Sequence, residues 1–242
     1  DPMPYFKHLL KDSKAPVGSL IGIYPIQGKG VVNGSSHKKL LAIGNLKQPV
    51  HAWGEIYTGI SAKDYMDGTS NFYGVHSVTL YVDSVQVFNS TTDKVLPDEN
   101  RMINGFTDYE ELTRTRRLIM RSYKLPGNRL RLLHPNENRG AVTIDEERDY
   151  HFRYVLEDNF GNRRTYQFIV KGKRQDIPEY KPEANEMLYW NRTNVIQKPG
   201  MELVVPRYYV YEDVPLRTDM RGDSSHIAFD YICLLYTSDA AD

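Results

Sequence analysis

Short apolar runs with a period of two, separated by turn-forming residues, dominate the hydrophobic pattern of this chain. The longest run covers residues 50–63, where apolar and polar side chains largely alternate, as in a half-buried strand. The alternation is disturbed near Gly54, which predicts a β-bulge there. Shorter apolar runs at 17–26 and 39–44 lie beside glycine-containing turns, so each predicts a further strand.

Two later stretches have the pattern of β-hairpins. The first joins residues 77–82 to residues 86–89 through Asp83 and Ser84, a two-residue link without the glycine that type I′ turns favour. The second covers residues 150–172 and contains the turn-forming segment D-N-F-G-N. Both patterns predict antiparallel strand pairs.

One helix is predicted over residues 107–123. Thr107 or Asp108 can serve as its N-cap, and two glutamates follow in the first turn, where the helix dipole favours acidic side chains. Apolar residues recur at helical spacing up to about Tyr123, and a Pro-Gly pair shortly afterwards ends the pattern.

The second half of the chain contains a predicted domain boundary. Residues 171–183 are rich in charge and include two prolines, which is typical of a linker. Strand-like runs follow at 187–190, 201–205 and 208–211. The expected organisation is extended linker strands at 15–46, a β domain at 47–173 and a truncated second β domain at 174–231.

Composition excludes several function classes. The 31 basic side chains balance the 31 acidic ones, so the chain lacks the basic excess of a nucleic-acid-binding protein. Its single cysteine gives neither a disulfide framework nor a cysteine metal site. No apolar run reaches the roughly 18–20 residues that a membrane span requires. We therefore expect no nucleic-acid partner and no membrane span.

Candidate metal ligands occur in two places. His8 and Asp12 have H-x-x-x-D spacing, but a third ligand would have to come from elsewhere, and a solvated segment is the commoner interpretation. A polar cluster with oxygen ligands suited to calcium starts at Asp64, although it does not match an EF-hand loop. Because Asp, Gly and Asn also favour turns, we interpret this cluster as a turn. Its members are Asp64, Asp67, Thr69 and Asn71.

Three other groups have a functional and a structural interpretation. The acids at 145–147 could act in glycoside hydrolysis, but consecutive acids at the mouth of a hairpin are more often solvated. Arginines on the predicted helix could bind anions, but nearby glutamates favour a salt-bridged outer face. Aromatic residues could stack on sugars, although packing explains most of them. The arginines are Arg114, Arg116, Arg117 and Arg121, and the aromatic residues are Trp53, Trp190, Tyr208, Tyr209 and Tyr211.

Several segments together resemble a known architecture. They include PVHAWGEI, SAKDYMDGTSNFYGVHSVTLYVD, INGFTDY, PGNRLRLL and VTIDEERDYHFRYVLEDNFGNRRTYQFIVKG. Over roughly residues 1–231, the chain resembles the region after the catalytic domain of Bacteroidetes-type proteins of peptidase family M-23. Those proteins are lysostaphin-like or LytM-like zinc endopeptidases that cut peptidoglycan.

The resemblance implies where the catalytic residues of such a protein lie. Residues 1–14 resemble the exit segment of the peptidase domain, and the family's zinc motifs, H-x-x-x-D and H-x-H, lie upstream of that segment. His8 and Asp12 lie on the wrong side of residues 1–6 to match them, so no role is transferred. The expectation is no catalytic, cofactor-binding or metal-binding residue in this chain, with zinc only in the parent's missing domain.

The middle region also resembles the immunoglobulin-like modules of secreted bacterial proteins. Its hydrophobic alternation fits two packed antiparallel sheets. The expected fold is therefore mostly β: an immunoglobulin-like antiparallel β-sandwich with one inserted helix, followed by the truncated second β domain.

The function implied by these resemblances is that of an accessory region. It would space or dock the catalytic domain of a peptidoglycan metalloendopeptidase in the cell envelope, in the periplasm or outside the cell. Its partners would be its own catalytic domain and peptidoglycan or envelope glycans. The alternatives are a carbohydrate-binding or adhesion module without a peptidase, and an independent hydrolase that uses the acids at 145–147.

The end of the chain has a separate interpretation. The string CLLYTSDAAD resembles translated sequencing adapter of the kind that ends metagenomic gene sequences. We therefore expect residues 232–242 to be non-native, including Cys233, with native sequence up to about Tyr231.

Overall fold

The computed structural model describes Tyr5 and the ranges 10–199, 201–220 and 227–231. The predicted non-native tail at 232–242 lies outside the described residues. The chain divides into two compact units: Asp1–Lys124 with Leu130–Glu179, and Leu125–Arg129 with Tyr180–Asp242.

The first unit is built on a strongly curled, mixed sheet that forms a half-barrel. Its strands are β1 Val17–Val32, β2 Lys39–Ala42, β3 Val50–Tyr65, β4 Phe72–Tyr73, β5 Ser77–Val82, β6 Val85–Thr91, β7 Met120–Arg121, β8 Leu133–Pro135, β9 Val142–Ile144, β10 Asp149–Glu157 and β11 Arg163–Gly172. The main path of the sheet has the strand order β2-β1-β3-β11-β10-β5-β6-β8, and three further short strands pair with β3.

Strand β3 pairs along both of its edges. One edge pairs with β1 almost from end to end, in an antiparallel register. The other edge is shared in succession by β11, β9, β7 and β4. The pairing with β11 is parallel, which makes the sheet mixed. Five other strands are therefore positioned by one strand.

The predicted β content is confirmed, whereas the strand pairing differs from two separate antiparallel sheets. Hydrogen bonds join all eleven strands of the first unit into one mixed sheet. The runs placed in a linker at 15–46 are strands β1 and β2 of this sheet. Alternation in the sequence determines which side chains share a face, but it carries no information about which strand lies beside which.

Both predicted hairpins are confirmed, and the first shows how its turn forms without glycine. Asp83 and Ser84 have φ values of 48° and 70°, the left-handed conformation that a type I′ turn requires. The Asp83 carboxylate accepts a hydrogen bond from the His151 backbone N–H at 2.9 Å and one from Arg148 at 2.7 Å. These contacts offset the unfavourable backbone conformation.

The predicted helix is wrong in length. Two short helices are present in this region, α1 Ile103–Phe106 and α2 Tyr109–Thr115. The predicted N-cap is confirmed, because the Asp108 side chain accepts a hydrogen bond from the Glu111 backbone N–H. The helix ends at Thr115, its C-cap residue Arg116 has a φ of 61°, and the chain continues into β7. Pairing of β7 with β3 and complete burial of Ile119 outweigh the helical spacing.

The second unit contains small sheets and its own apolar cluster. Its strands are β12 Glu186–Leu188, β13 Asn194–Lys198, β14 Met201–Val205, β15 Val214–Met220 and β16 Ile227–Tyr231. Strands β12, β15 and β16 form one sheet, and β13 pairs with β14 in another. The run at 201–205 is confirmed as β14, whereas 208–211 forms turns and bends, with Tyr208 at a φ of 69°.

The irregular β1–β3 pairing near Gly54, where a bulge was predicted, can be tested by substitution. The register shifts between Pro25 and Gly30 opposite this position, and Gly54 has a φ of 79°. A Cβ at Gly54 would overlap the carbonyl oxygen of Lys29. We expect Gly54→Ala to lower the free energy of unfolding by about 3 kcal/mol or more, measured by urea denaturation.

Gly34→Ala is the matched control, because Gly34 has a similar φ of 76° but open space around it. Backbone strain alone should cost this variant about 1–2 kcal/mol. Equal losses in the two variants would show that close backbone approach at Gly54 does not matter.

Candidate functional site

Three carboxylates from distant parts of the sequence meet in the first unit. One oxygen from each of Asp12, Asp64 and Asp158 lies within 4.8 Å of the others. Asp12 precedes β1, Asp64 lies near the end of β3, and Asp158 directly follows β10. The sheet therefore brings an N-terminal segment, a strand and a hairpin turn to one place. We refer to these three residues as the aspartate cluster.

The β10–β11 turn fixes the Asp158 carboxylate. Its Oδ1 accepts hydrogen bonds from the backbone N–H groups of Phe160 at 2.8 Å and Asn162 at 2.9 Å. The Asn162 side-chain amide donates to Asp158 Oδ2 at 2.8 Å and to the Asp12 backbone carbonyl at 3.1 Å. Asn162 therefore connects the turn to the N-terminal segment.

Contacts with the turn after β3 also hold the N-terminal segment. Ser13 Oγ donates to Asp67 Oδ2 at 2.9 Å, and Lys14 Nζ donates to the Met66 carbonyl at 3.0 Å. The Lys14 backbone N–H donates to Asp12 Oδ1 at 3.0 Å. Asp12 is thereby placed beside Asp64 although it lies in an irregular segment.

The cluster concentrates negative charge at a covered position. Asp64 is 6% exposed, and its Oδ1 is covered and has no hydrogen-bond partner among the described residues; the same is true of Asp12 Oδ2. Within the described ranges, no basic side chain forms an ion pair with any of the three carboxylates. The pKa of Asp64 is raised to about 6 by burial, by the charge of Asp158 and, more weakly, by the charge of Asp12. A hydrogen bond from the Tyr65 backbone lowers this pKa but does not cancel the rise. Such an arrangement favours a bound cation.

The aspartate cluster takes one residue from each of the two metal-ligand patterns predicted from the sequence. Asp64 belongs to the cluster, whereas Asp67, Thr69 and Asn71 do not. Thr69 Oγ1 accepts from the Asn71 backbone N–H, a local bond that agrees with the turn interpretation. Asp12 is grouped with Asp64 and Asp158, while His8 lies outside the described residues.

The acids at 145–147 have local partners. Glu146 forms an ion pair with Arg148 at 2.8 Å, and Glu147 accepts from the Arg174 backbone N–H at 3.1 Å. The Asp145 carboxylate lies 3.3 Å from the Tyr150 hydroxyl. All three acids are exposed, so these contacts support the structural interpretation.

The arginines of the predicted helix take two different positions. Arg114 and Arg117 lie on the outside and contact the Glu111 carboxylate at 3.2 and 3.7 Å, as the salt-bridged face predicts. Arg121 is 5% exposed and lies in β7, so its assignment to an outer helical face is wrong. Its guanidinium is 4.0 Å from Asp108.

The aromatic candidates are partly used in packing. In the second unit, the Trp190 and Tyr208 rings lie 6.1 Å apart, and the guanidinium groups of Arg129 and Arg207 lie over Tyr208. Tyr211 is buried, whereas Tyr209 is 60% exposed. Trp53 in β3 is half-buried.

A second charged group in the first unit surrounds the N-terminus of α2. Asp108 is 1% exposed and accepts hydrogen bonds from Lys38 Nζ at 2.8 Å and from the Tyr24 hydroxyl at 2.9 Å. Burial alone would raise the pKa of Asp108, but the Lys38 hydrogen bond and the charges of Arg121 and Lys38 outweigh it and lower the pKa. This group is neutralised by its own side chains, so we assign it a structural role.

Comparisons with known proteins give one partial match. The family described as Zu5-like domain matches residues 185–234, less than half of the chain. The matched range contains β12–β16, so this part of the second unit is similar to that family. No curated protein and no solved structure matches the chain. Among the described residues, no helix is both long and apolar enough to cross a membrane.

The structural role of Asp108 predicts a large effect of substitution. Asp108→Asn keeps the shape but leaves Lys38 without its closest anion, and we expect the free energy of unfolding to fall by about 2–4 kcal/mol in urea denaturation. The pKa of Asp108 is lower in the folded state than in the unfolded state, where it is about 4. The ionised carboxylate therefore stabilises the wild-type fold above about pH 4, and this stabilisation is lost as the pH falls through the folded-state pKa. The variant should lack this acid-dependent loss.

Glu110→Gln is the matched control, because Glu110 also contacts Lys38, at 3.2 Å, but is 55% exposed. Its loss should stay below about 0.5 kcal/mol. A similar small loss in Asp108→Asn would contradict the structural role.

Proposed function

We propose that this chain is the non-catalytic accessory region of a cell-envelope peptidoglycan metalloendopeptidase, which spaces or docks the catalytic domain. The observation that carries the proposal is the first unit's continuous sheet, in which β1 and β3 each have 16 residues. Strands of this length, paired on a shared apolar core, give a stiff scaffold that can hold an attached domain in a fixed orientation. The proposed location is the periplasm or the cell exterior.

An immunoglobulin-like sandwich is the finer proposal for residues 47–173. A strongly curled sheet brings its two halves face to face, as the two sheets of a sandwich do. Side chains from β1 and β3, such as Ile21 and Ile56, share one apolar cluster with Leu80 and Phe152 from β5 and β10. This shared core supports the comparison with sandwich modules.

The proposed partners are the protein's own catalytic domain and, more weakly, peptidoglycan or envelope glycans. Zinc would be bound in the catalytic domain, because the zinc motifs H-x-x-x-D and H-x-H are expected there, upstream of this chain. The balance of acidic and basic side chains agrees with a spacer more than with a strong electrostatic docking surface.

A carbohydrate-binding or adhesion module is the second candidate, and one groove favours it. The groove has a volume of about 670 Å³ and lies where the β10–β11 hairpin meets the segment before β3. Lys47, Gln48, Arg153, Gln167 and Lys171 offer hydrogen-bond donors suited to glycan hydroxyl and carboxylate groups. Phe168 contributes an apolar part of the wall.

The gene that encodes this chain gives the first test. We expect the DNA immediately upstream to encode the zinc motifs H-x-x-x-D and H-x-H in one reading frame with the chain. An upstream sequence without these motifs would contradict the accessory role and favour the second candidate.

An activity comparison in the complete protein tests the role directly. Deleting residues 15–231 should reduce cleavage of insoluble peptidoglycan by roughly tenfold or more, because the catalytic domain loses its local positioning. Hydrolysis of a short soluble peptide should stay unchanged. Equal losses on both substrates would indicate a general folding defect, and no loss on either would overturn the proposal.

Cosedimentation of the chain with insoluble peptidoglycan separates the two candidates. The accessory role predicts weak binding that does not saturate. Saturable binding that is lost in Arg153→Gln but kept in Arg163→Gln would favour the glycan-binding groove, because Arg163 is exposed and lies outside the groove lining.

A further inference from the structure

The aspartate cluster has the composition and spacing of a site for a hard cation. We propose that Asp12, Asp64 and Asp158 bind one calcium ion, which joins the N-terminal segment to the end of β3 and the β10–β11 turn. This site does not depend on the accessory role.

Two covered oxygens indicate that a ligand belongs here. Asp64 is 94% buried, and its Oδ1 has no hydrogen-bond partner among the described residues. One oxygen of its carboxylate lies within 4.8 Å of an oxygen from each of the other two aspartates. Asp12 Oδ2 is covered and without a partner in the same part of the structure. Burial of a carboxylate without a compensating group is unfavourable, and each neighbouring negative charge adds to the cost. A cation between the three groups would neutralise them and supply the missing contacts.

The spacing and the donor atoms select calcium. Calcium–oxygen distances are about 2.3–2.6 Å, so two oxygens up to about 5 Å apart can bind the same ion. The three oxygens lie within 4.8 Å of one another and meet this condition. The group contains only carboxylates, without the imidazole or thiolate ligands that favour zinc. Calcium also accepts irregular geometry, whereas magnesium requires a near-ideal octahedron.

The ion would stiffen the start of the first unit. Residues 10–16, the described part of this segment, form neither strand nor helix, and hydrogen bonds from Ser13, Lys14 and Asn162 attach them to their neighbours. Bound calcium would add a stronger link at the same place. If the accessory role also holds, this link would set the orientation of whatever precedes β1.

Calcium titration of the full chain tests the site. We expect saturable binding of one ion with a Kd of roughly 0.1–1 mM, and a rise in Tm when CaCl2 replaces EDTA. Terbium should bind competitively with calcium and luminesce on tyrosine excitation, because Tyr65 follows Asp64 and Tyr73 is its strand partner. Magnesium at the same concentration should give a much smaller Tm rise.

Asp64→Asn is the decisive variant, because it removes one charge and keeps the shape. Its calcium affinity should fall by roughly tenfold or more, and its Tm in EDTA should equal or exceed that of the wild type because a repulsive charge is gone. The matched control is Asp67→Asn, a change in the adjacent turn outside the cluster, which should keep the calcium-dependent Tm rise.

Three results would overturn the proposal. The first is the absence of saturable calcium binding by the wild-type chain. The second is an unchanged calcium affinity in Asp64→Asn. The third is an equal Tm response to magnesium and calcium, which would indicate general attraction of cations to a negative surface.

Discussion

Backbone pairing along β3 is the interaction on which the first unit depends. One edge of this strand is paired with β1, and the other edge is divided between β11, β9, β7 and β4. Segments that are far apart in sequence are therefore fixed relative to one another by hydrogen bonds to a single strand. Ile56 and Ile60 of β3 are completely buried, so apolar packing reinforces the same arrangement.

The position of the aspartate cluster follows from this arrangement. Asp64 lies near the end of β3, where β3 pairs with β4. Asp158 is held by the turn that joins β10 to β11, and β11 is a direct neighbour of β3. The charge cluster around Asp108 depends on β3 in a similar way, because β7 places Arg121 beside that carboxylate. The negative charge of the two clusters is balanced in different ways. Lys38 and Arg121 offset the charge of Asp108, whereas a bound cation is proposed to offset that of the aspartate cluster.

The sequence patterns predicted individual strands, turns and helix caps better than they predicted which segments lie beside one another. The two hairpins, the disturbance at Gly54 and the N-cap at Asp108 depend on neighbouring residues, and each is present. The length of the helix was not predictable, because the pairing of residues 120–121 with β3 is a tertiary effect. Asp12 and Asp64 belonged to two separate candidate metal-ligand patterns, but neither pattern connected them to each other or to Asp158. Only the folded sheet brings these three residues together.

Hydrogen exchange tests the central role of β3 most directly. If β3 organises the first unit, its backbone amides between Ala52 and Ala62 should exchange only when the whole unit unfolds. Amides of the outermost strands β2 and β8 should exchange faster, through local opening. Exchange from β3 that is as fast as exchange from β2 or β8 would contradict the account.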